Sequence, residues 1–259
     1  MDGISFIVRV KNEENIIEKS IRSITGLIVP YEIVIILNTC TDRSQEIVEN
    51  LKNEGYPIRI FTYDYQISRA GYEMLATDST SPHSMVAYTK WCFDKGQYHW
   101  LFKWDADLIA SHELIKLFNS RTWSAPEKHS RYYLQARNSD SDSAEHHLFS
   151  RPYSINKYVY WETINPVGES IDLDPGDAHM FHISSLKTPK SYWLEEPWFM
   201  NDSSEEALTI RKRFELLNSI CGKEPLGSAR RANPECDAQY LNVLRHKGIL
   251  ANCGINFYI

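Results

Sequence analysis

Asp105-Ala106-Asp107 is the sharpest chemical signal in the chain, and it follows the mostly apolar run Leu101-Phe102-Lys103-Trp104. Two carboxylates where a strand leaves a core are hard oxygen donors, and that donor set suits Mg2+ or Mn2+. An Asx turn at the strand end is the structural alternative for the same residues. Arg9 and Lys103 could add positive charge beside the pair, or stand as strand residues facing solvent.

The elements that must position this pair are legible upstream. Ile4–Val10 is a nearly continuous apolar strand, and Asn12 is the expected N-cap of a helix that carries Ile17, Ile21 and Ile24 at helical spacing. Residues 31–37 read as a second strand; Thr41 or Asp42 caps a helix bearing Ile47, Val48 and Leu51, and Gly55 ends it. Residues 58–63 form a third strand, residues 69–95 a helical region ended by Gly96, and residues 98–104 the strand that delivers Asp105. Alternation of this kind predicts a mainly parallel sheet covered by helices. Ligands of such sheets gather beyond the carboxyl ends of the strands, which points to residues 8–13, 38–42, 66–71 and 105–107.

Downstream of Ser111, which caps a helix through Asn119, the pattern shifts to short strands at 132–136, 158–161 and 178–183. Residues 138–145 are rich in Ser and Asp and read as an exposed loop, with His146 and His147 beside it expected to face solvent. Ser203 and Glu206 form an S-x-x-E capping box ahead of a helix over 208–220, and a last helix spans 234–247 before Gly248.

With 28 Lys+Arg against 34 Asp+Glu the net charge is −6, which argues against a protein built to neutralise a phosphate backbone. Five cysteines without a C-x-x-C pair fit neither a disulfide framework nor a structural zinc site, and a reducing compartment, the cytoplasm, is the expected location. The start lacks a signal-peptide pattern, and no stretch approaches the roughly 20 apolar residues of a membrane span.

Three segments, ISFIVRVKNEE (4–14), EIVIILNTCTDRS (32–44) and WLFKWDADL (100–108), resemble in order and spacing the family 2 nucleotide-sugar glycosyltransferases of the GT-A fold. The resemblance covers residues 1–110 and implies a Rossmann-like α/β domain over 1–200. Its nucleotide-binding half would be 1–110 and its acceptor half, with a smaller sheet, 111–200; residues 201–259 would form a helical appendage packed on the same domain. It implies transfer of a sugar from a nucleoside-diphosphate donor to a hydroxyl of a glycan or other acceptor, with inversion and without nucleic acid. Val8, Arg9, Val10, Asn12, Glu13, Asn38, Arg69, Trp104 and Asp105 would then line the donor site. Asp105 and Asp107 would hold Mn2+ or Mg2+ against the departing diphosphate, Asp107 in a catalytic role. The usual acidic pair after the second strand is replaced by Leu37 and Asn38, whose amide offers both a donor and an acceptor.

Val167-Gly168-Glu169-Ser170, with Gly168 where a subgroup carries His, implies Glu169 as the general base an inverting transfer requires, and His182 as a third metal ligand. Glu162, Asp172, Glu195 and Glu196 compete for the base role. Aromatic residues downstream, Trp161 and Trp193 foremost, suit stacking on sugar C–H faces or the core of the smaller sheet. The alternatives to a transferase are a catalytically inactive glycan-binding domain, a haloacid-dehalogenase-like phosphatase and, more weakly, nucleotidyl transfer.

Overall fold

The run from Ile4 to Val10 forms strand β1 and is buried on both faces, as its nearly continuous apolar character requires. In the computed structural model, which describes residues 1–138, 144–158, 162–183, 196–223 and 234–257, β1 lies between two parallel neighbours, β2 (Tyr31–Asn38) and β4 (Trp100–Asp105). β3 (Ile58–Tyr63) extends the sheet beside β2. Helices α1 (Ile17–Ser23) and α2 (Ser44–Asn53) contribute Ile17, Ile21, Val48 and Leu51 to the core beneath. The α/β alternation expected from the sequence is realised here.

Beyond β4 the sheet becomes mixed. β7 (Ala144–Ser150) runs antiparallel to both β4 and β6 (His129–Asn138). The other side of β6 pairs in parallel first with β10 (Ser170–Leu173) at His129–Tyr132, then with β11 (His179–His182) at Gln135–Asn138. β11 in turn pairs antiparallel with β5 (Leu108–Ala110), giving the order β3-β2-β1-β4-β7-β6-β11-β5.

That order forces the sheet to curl. β4 and β5 stand four strand steps apart, about 19 Å in a flat sheet at about 4.8 Å per step. Only Ala106 and Asp107 connect them, and three Cα–Cα steps of 3.80 Å span at most about 11 Å. The two ends of this run of strands therefore meet where Asp105-Ala106-Asp107 crosses from one to the other. Helix α5 (His112–Ser120) follows, its N-cap Ser111 Oγ accepting from Leu114 N at 3.1 Å, as the sequence predicts.

Several expected elements differ in detail. Asn12 does not cap α1: it adopts φ 56°, and the N-cap is Ile16. The helical region 69–95 is two helices, α3 (Tyr72–Ala76) and α4 (Met85–Asp94), because Thr77 turns extended. β5 was not foreseen, and residues expected to be loop belong to β6 and β7, which run to Asn138 and from Ala144. Tyr158 is not in a strand, and the rest of the strand expected at 158–161 lies outside the described residues. Ser204, not Ser203, caps the helix Glu205–Cys221, its Oγ accepting from Ala207 N at 3.2 Å. Gly248 lies inside a further helix, Lys247–Asn252, after Pro234–Arg245.

The chain divides into two compact units. The first, Met1–Asp64, Trp91–Ser154 and Asn165–Pro189, holds the large sheet. The second, Tyr65–Lys90, Ile155–Ile164 and Lys190–Ile259, has its own core of Tyr72, Leu75, Phe199, Ile210, Leu217, Val243 and Leu250. β8 (Tyr153–Lys157) and β9 (Glu162–Pro166) form a separate two-stranded sheet. Among the described residues no helix is long and apolar enough to cross a membrane.

Candidate functional site at the sheet seam

Lys103 and Asp105 are two apart on β4 and so share a face. Lys103 Nζ reaches both oxygens of Asp105, at 3.1 and 3.3 Å. Arg9 is the register partner of Asp105 across β1, and its Nη2 lies 3.9 Å from Asp105 Oδ1. The Asp105 side chain retains 33% exposure, so it remains within reach of a ligand.

Asp107 is different. Its side chain is 1% exposed, and Oδ2 lies 2.7 Å from Nε2 of His182, which is 25% exposed. The strand pairing places these two together: His182 is opposite Leu108 in the β5–β11 ladder, and Ile183 N donates to Asp107 O at 3.0 Å. His182, expected as a third metal ligand, stands beside Asp107.

His146 joins the same seam and does not face solvent. On β7 it shares a face with Leu148 and is 5% exposed, with Nδ1 3.8 Å from Asp105 Oδ2. Burial pushes its imidazole down to about 4; Asp105 and Asp107 work against that shift, Lys103 and His182 with it. His147 is likewise pushed down to about 4 by burial, and packs edge-on against Tyr133. His146, Leu148, Phe149 and Ser150 are all buried, so β7 carries no plain two-residue alternation that would mark His146 as an inward position from sequence.

The other residues expected to line the donor site take up several different positions. Val8, Val10 and Trp104 are at most 1% exposed and belong to the core; the Trp104 indole donates to Ser20 Oγ at 2.8 Å. Asn12 and Glu13 tie the end of β1 to the start of α2: Asn12 Oδ1 accepts from Thr41 N at 2.7 Å, and Glu13 N donates to Ser44 Oγ at 2.8 Å. Asn38 is buried, its Nδ2 donating to Tyr63 O at 2.9 Å. Arg69 belongs to the second unit, where its guanidinium pairs with Glu73.

Glu169 is not brought to the seam. It precedes Ser170, the partner of His129, whereas His182 pairs with Asn138. Nine residues along β6 at about 3.3 Å each put these positions about 30 Å apart along the strand. The Glu169 carboxylate is 79% exposed and pairs with Lys128 at 2.7 Å. Trp161 and Trp193 lie outside the described residues.

The donors at the seam, two carboxylates and an imidazole, have the chemistry of a hard divalent-cation site. Among the described residues, no three His, Cys, Asp or Glu side chains already converge as a ligand set. Asp105 is the accessible member, and a cation there would share its carboxylate with Lys103.

Residues 5–66 match the model of glycosyl transferase family 2. That segment runs from β1 through β3. No curated protein sequence matches. Among solved structures, the S. aureus TarS 1-349 complex with UDP is similar at 16% identity with a TM-score of 0.39, over 56% of this chain and 38% of that chain. The TarS 1-349 complex with UDP-GlcNAc is similar at 14% identity with a TM-score of 0.49, over 99% of this chain and 82% of that chain. The mannosyltransferase PcManGT from Pyrobaculum calidifontis, in complex with GDP-Man and Mn2+, is similar at 11% identity with a TM-score of 0.46, over 96% of this chain and 77% of that chain.

Proposed function

We propose that the chain is a GT-A glycosyltransferase that moves a sugar from a nucleoside-diphosphate donor to a hydroxyl of a glycan or similar acceptor, with inversion. The observation that carries this reading is the coincidence of the family 2 segment at residues 5–66 with the cluster Arg9, Lys103, Asp105, Asp107 and His182 at the carboxyl ends of β1 and β4.

In this reading Asp105 and Asp107, with His182 behind Asp107, would hold Mn2+ or Mg2+. The cation would supply Lewis-acid stabilisation of the charge that develops on the departing diphosphate. Lys103 has three N–H donors and can keep Asp105 while turning one toward a phosphate oxygen. Arg9 adds a second positive charge beside it, and both act most strongly as negative charge builds on the leaving group. Glu169 stands too far along β6 to serve this seam as the base, so the proton of the acceptor hydroxyl must leave by another group. Five cysteines without a C-x-x-C pair suit a reducing compartment such as the cytoplasm.

Thermal unfolding with UDP- and GDP-sugars, each with and without Mn2+, tests the reading. A donor at about 100 times its dissociation constant stabilises by about 2.7 kcal/mol. A shift that needs the metal and disappears in Asp107→Ala is expected. Stability indifferent to every donor, or a shift unchanged in Asp107→Ala, would overturn it.

A further inference from the structure

We propose that His146 is a positioning residue of the donor site, its Nδ1–H aimed at Asp105 Oδ2 so as to hold that carboxylate in the orientation that receives the diphosphate–cation pair. This rests on the reading of Asp105 given above. The ring is 5% exposed, and Nδ1 has no hydrogen-bond partner among the described residues. A buried donor without a partner is costly, so an imidazole in that position requires a reason. Asp105 Oδ2 lies 3.8 Å from Nδ1, just beyond hydrogen-bond length.

Three features make the short closing movement a designed one. Asp105 is held on its other side by Lys103, so its carboxylate is already confined to a narrow range. His146 is anchored on β7, which pairs with β4 at Trp100–Phe102 and with β6 along most of its length, so its backbone cannot drift. Asp105, at 33% exposure, is the more accessible of the two and faces the ligand side. With a cation and diphosphate at Asp105, Lys103 would share its ammonium with phosphate, and the Nδ1–H of His146 would take over part of its hold on Oδ2. A neutral imidazole with its proton on Nδ1 performs this without adding charge, and leaves Nε2 as acceptor.

Binding of UDP and of GDP to the full chain, measured by calorimetry with and without Mn2+, separates this role from packing. Wild type, Asp105→Asn, His146→Ala and His146→Asn are compared. The Asn amide nitrogen sits close to where imidazole Nδ1 stood, so His146→Asn keeps the donor while shrinking the ring. The expected result is a loss of about tenfold in Mn2+-dependent nucleotide affinity in His146→Ala, recovery to within about threefold in His146→Asn, and unchanged metal-free binding in both. Wild-type affinity in His146→Ala, or equal losses in a folded His146→Ala and a folded His146→Asn, overturns the positioning role. Should Asp105→Asn bind Mn2+ and nucleotide as wild type does, the donor-site reading itself fails, and that result is distinct from failure at His146.

Discussion

His182 Nε2 lies 2.7 Å from Asp107 Oδ2, and the pair exists because β11 runs antiparallel to β5 at the point where the sheet curls back on β4. Asp107 is almost wholly out of solvent, so it depends on the groups around it far more than Asp105 does. His182→Phe keeps a ring of similar reach and removes the nitrogen. The expected cost is about 1–3 kcal/mol of folding stability, the range for leaving a buried polar group without one partner. His182→Gln, which still offers an N–H, should recover part of it. Urea unfolding of the three proteins decides: equal midpoints would mean that His182 does not support Asp107.

The sequence made the first half of this arrangement legible and hid the second. β1, β2 and β4 are buried along most of their length, so their apolar runs announce them whatever the tertiary context. Asp105 and Asp107 follow because a charged pair at the end of such a run has few other places to be. β5 is three residues long, too short for any periodicity, and its position is dictated by pairing with β11. His146 was hidden for the same reason. The Ser- and Asp-rich residues before it read as loop, and the strand that holds it is defined by pairing with β6, a long-range contact that local sequence does not announce. Asn12 was misread because the residue types that favour an N-cap also tolerate positive φ, and only tertiary contacts choose between the two.

Asn12 therefore gives a second prediction. It holds φ 56°, and its side-chain oxygen accepts from Thr41 N at 2.7 Å, pinning the end of β1 to the approach to α2. Asn12→Gly keeps the backbone conformation and loses the bond; Asn12→Ala loses both. Stability should fall by about 1 kcal/mol in the first and by about 2 in the second, since a left-handed residue with a Cβ costs about 1 kcal/mol by itself. Thermal melts that reverse this order would mean that backbone strain is not what distinguishes the two.

Glycine at positive φ supplies a third, in which strain and space are separated. Gly3 has φ +137°, and a Cβ there would meet Pro30 O at 2.5 Å and the Tyr98 ring at 2.7 Å. Gly55 has φ +98° with nothing within 4 Å of such a Cβ. Gly55→Ala should cost about 1 kcal/mol, from conformation alone. Gly3→Ala adds a clash with a backbone oxygen that itself accepts from Ile4 N, and should cost at least about 2 kcal/mol more. A Gly3→Ala protein no less stable than Gly55→Ala, by denaturant midpoint, would show that the turn into β1 relaxes freely.

The fourth concerns Lys157, which is 5% exposed and sits in the second unit with its ammonium donating to the carbonyls of Leu75 and Thr77 at the end of α3. Burial pushes it down to about 8, with Arg213 acting in the same direction and Asp78 against it. Below pH 8 the folded chain carries this charge at a cost; between 8 and the unfolded value near 10.5 the unfolded state binds the extra proton, so stability rises with pH. The gain from this group alone is about 3 kcal/mol across the window. Tyr153, raised by burial, acts in the opposite sense above pH 10, because the unfolded phenol ionises first. Comparing wild type with Lys157→Met at each pH cancels that background. The difference in unfolding free energy, wild type minus variant, should climb from pH 8 to 10; a flat difference would mean that Lys157 titrates in the folded protein as it does in water.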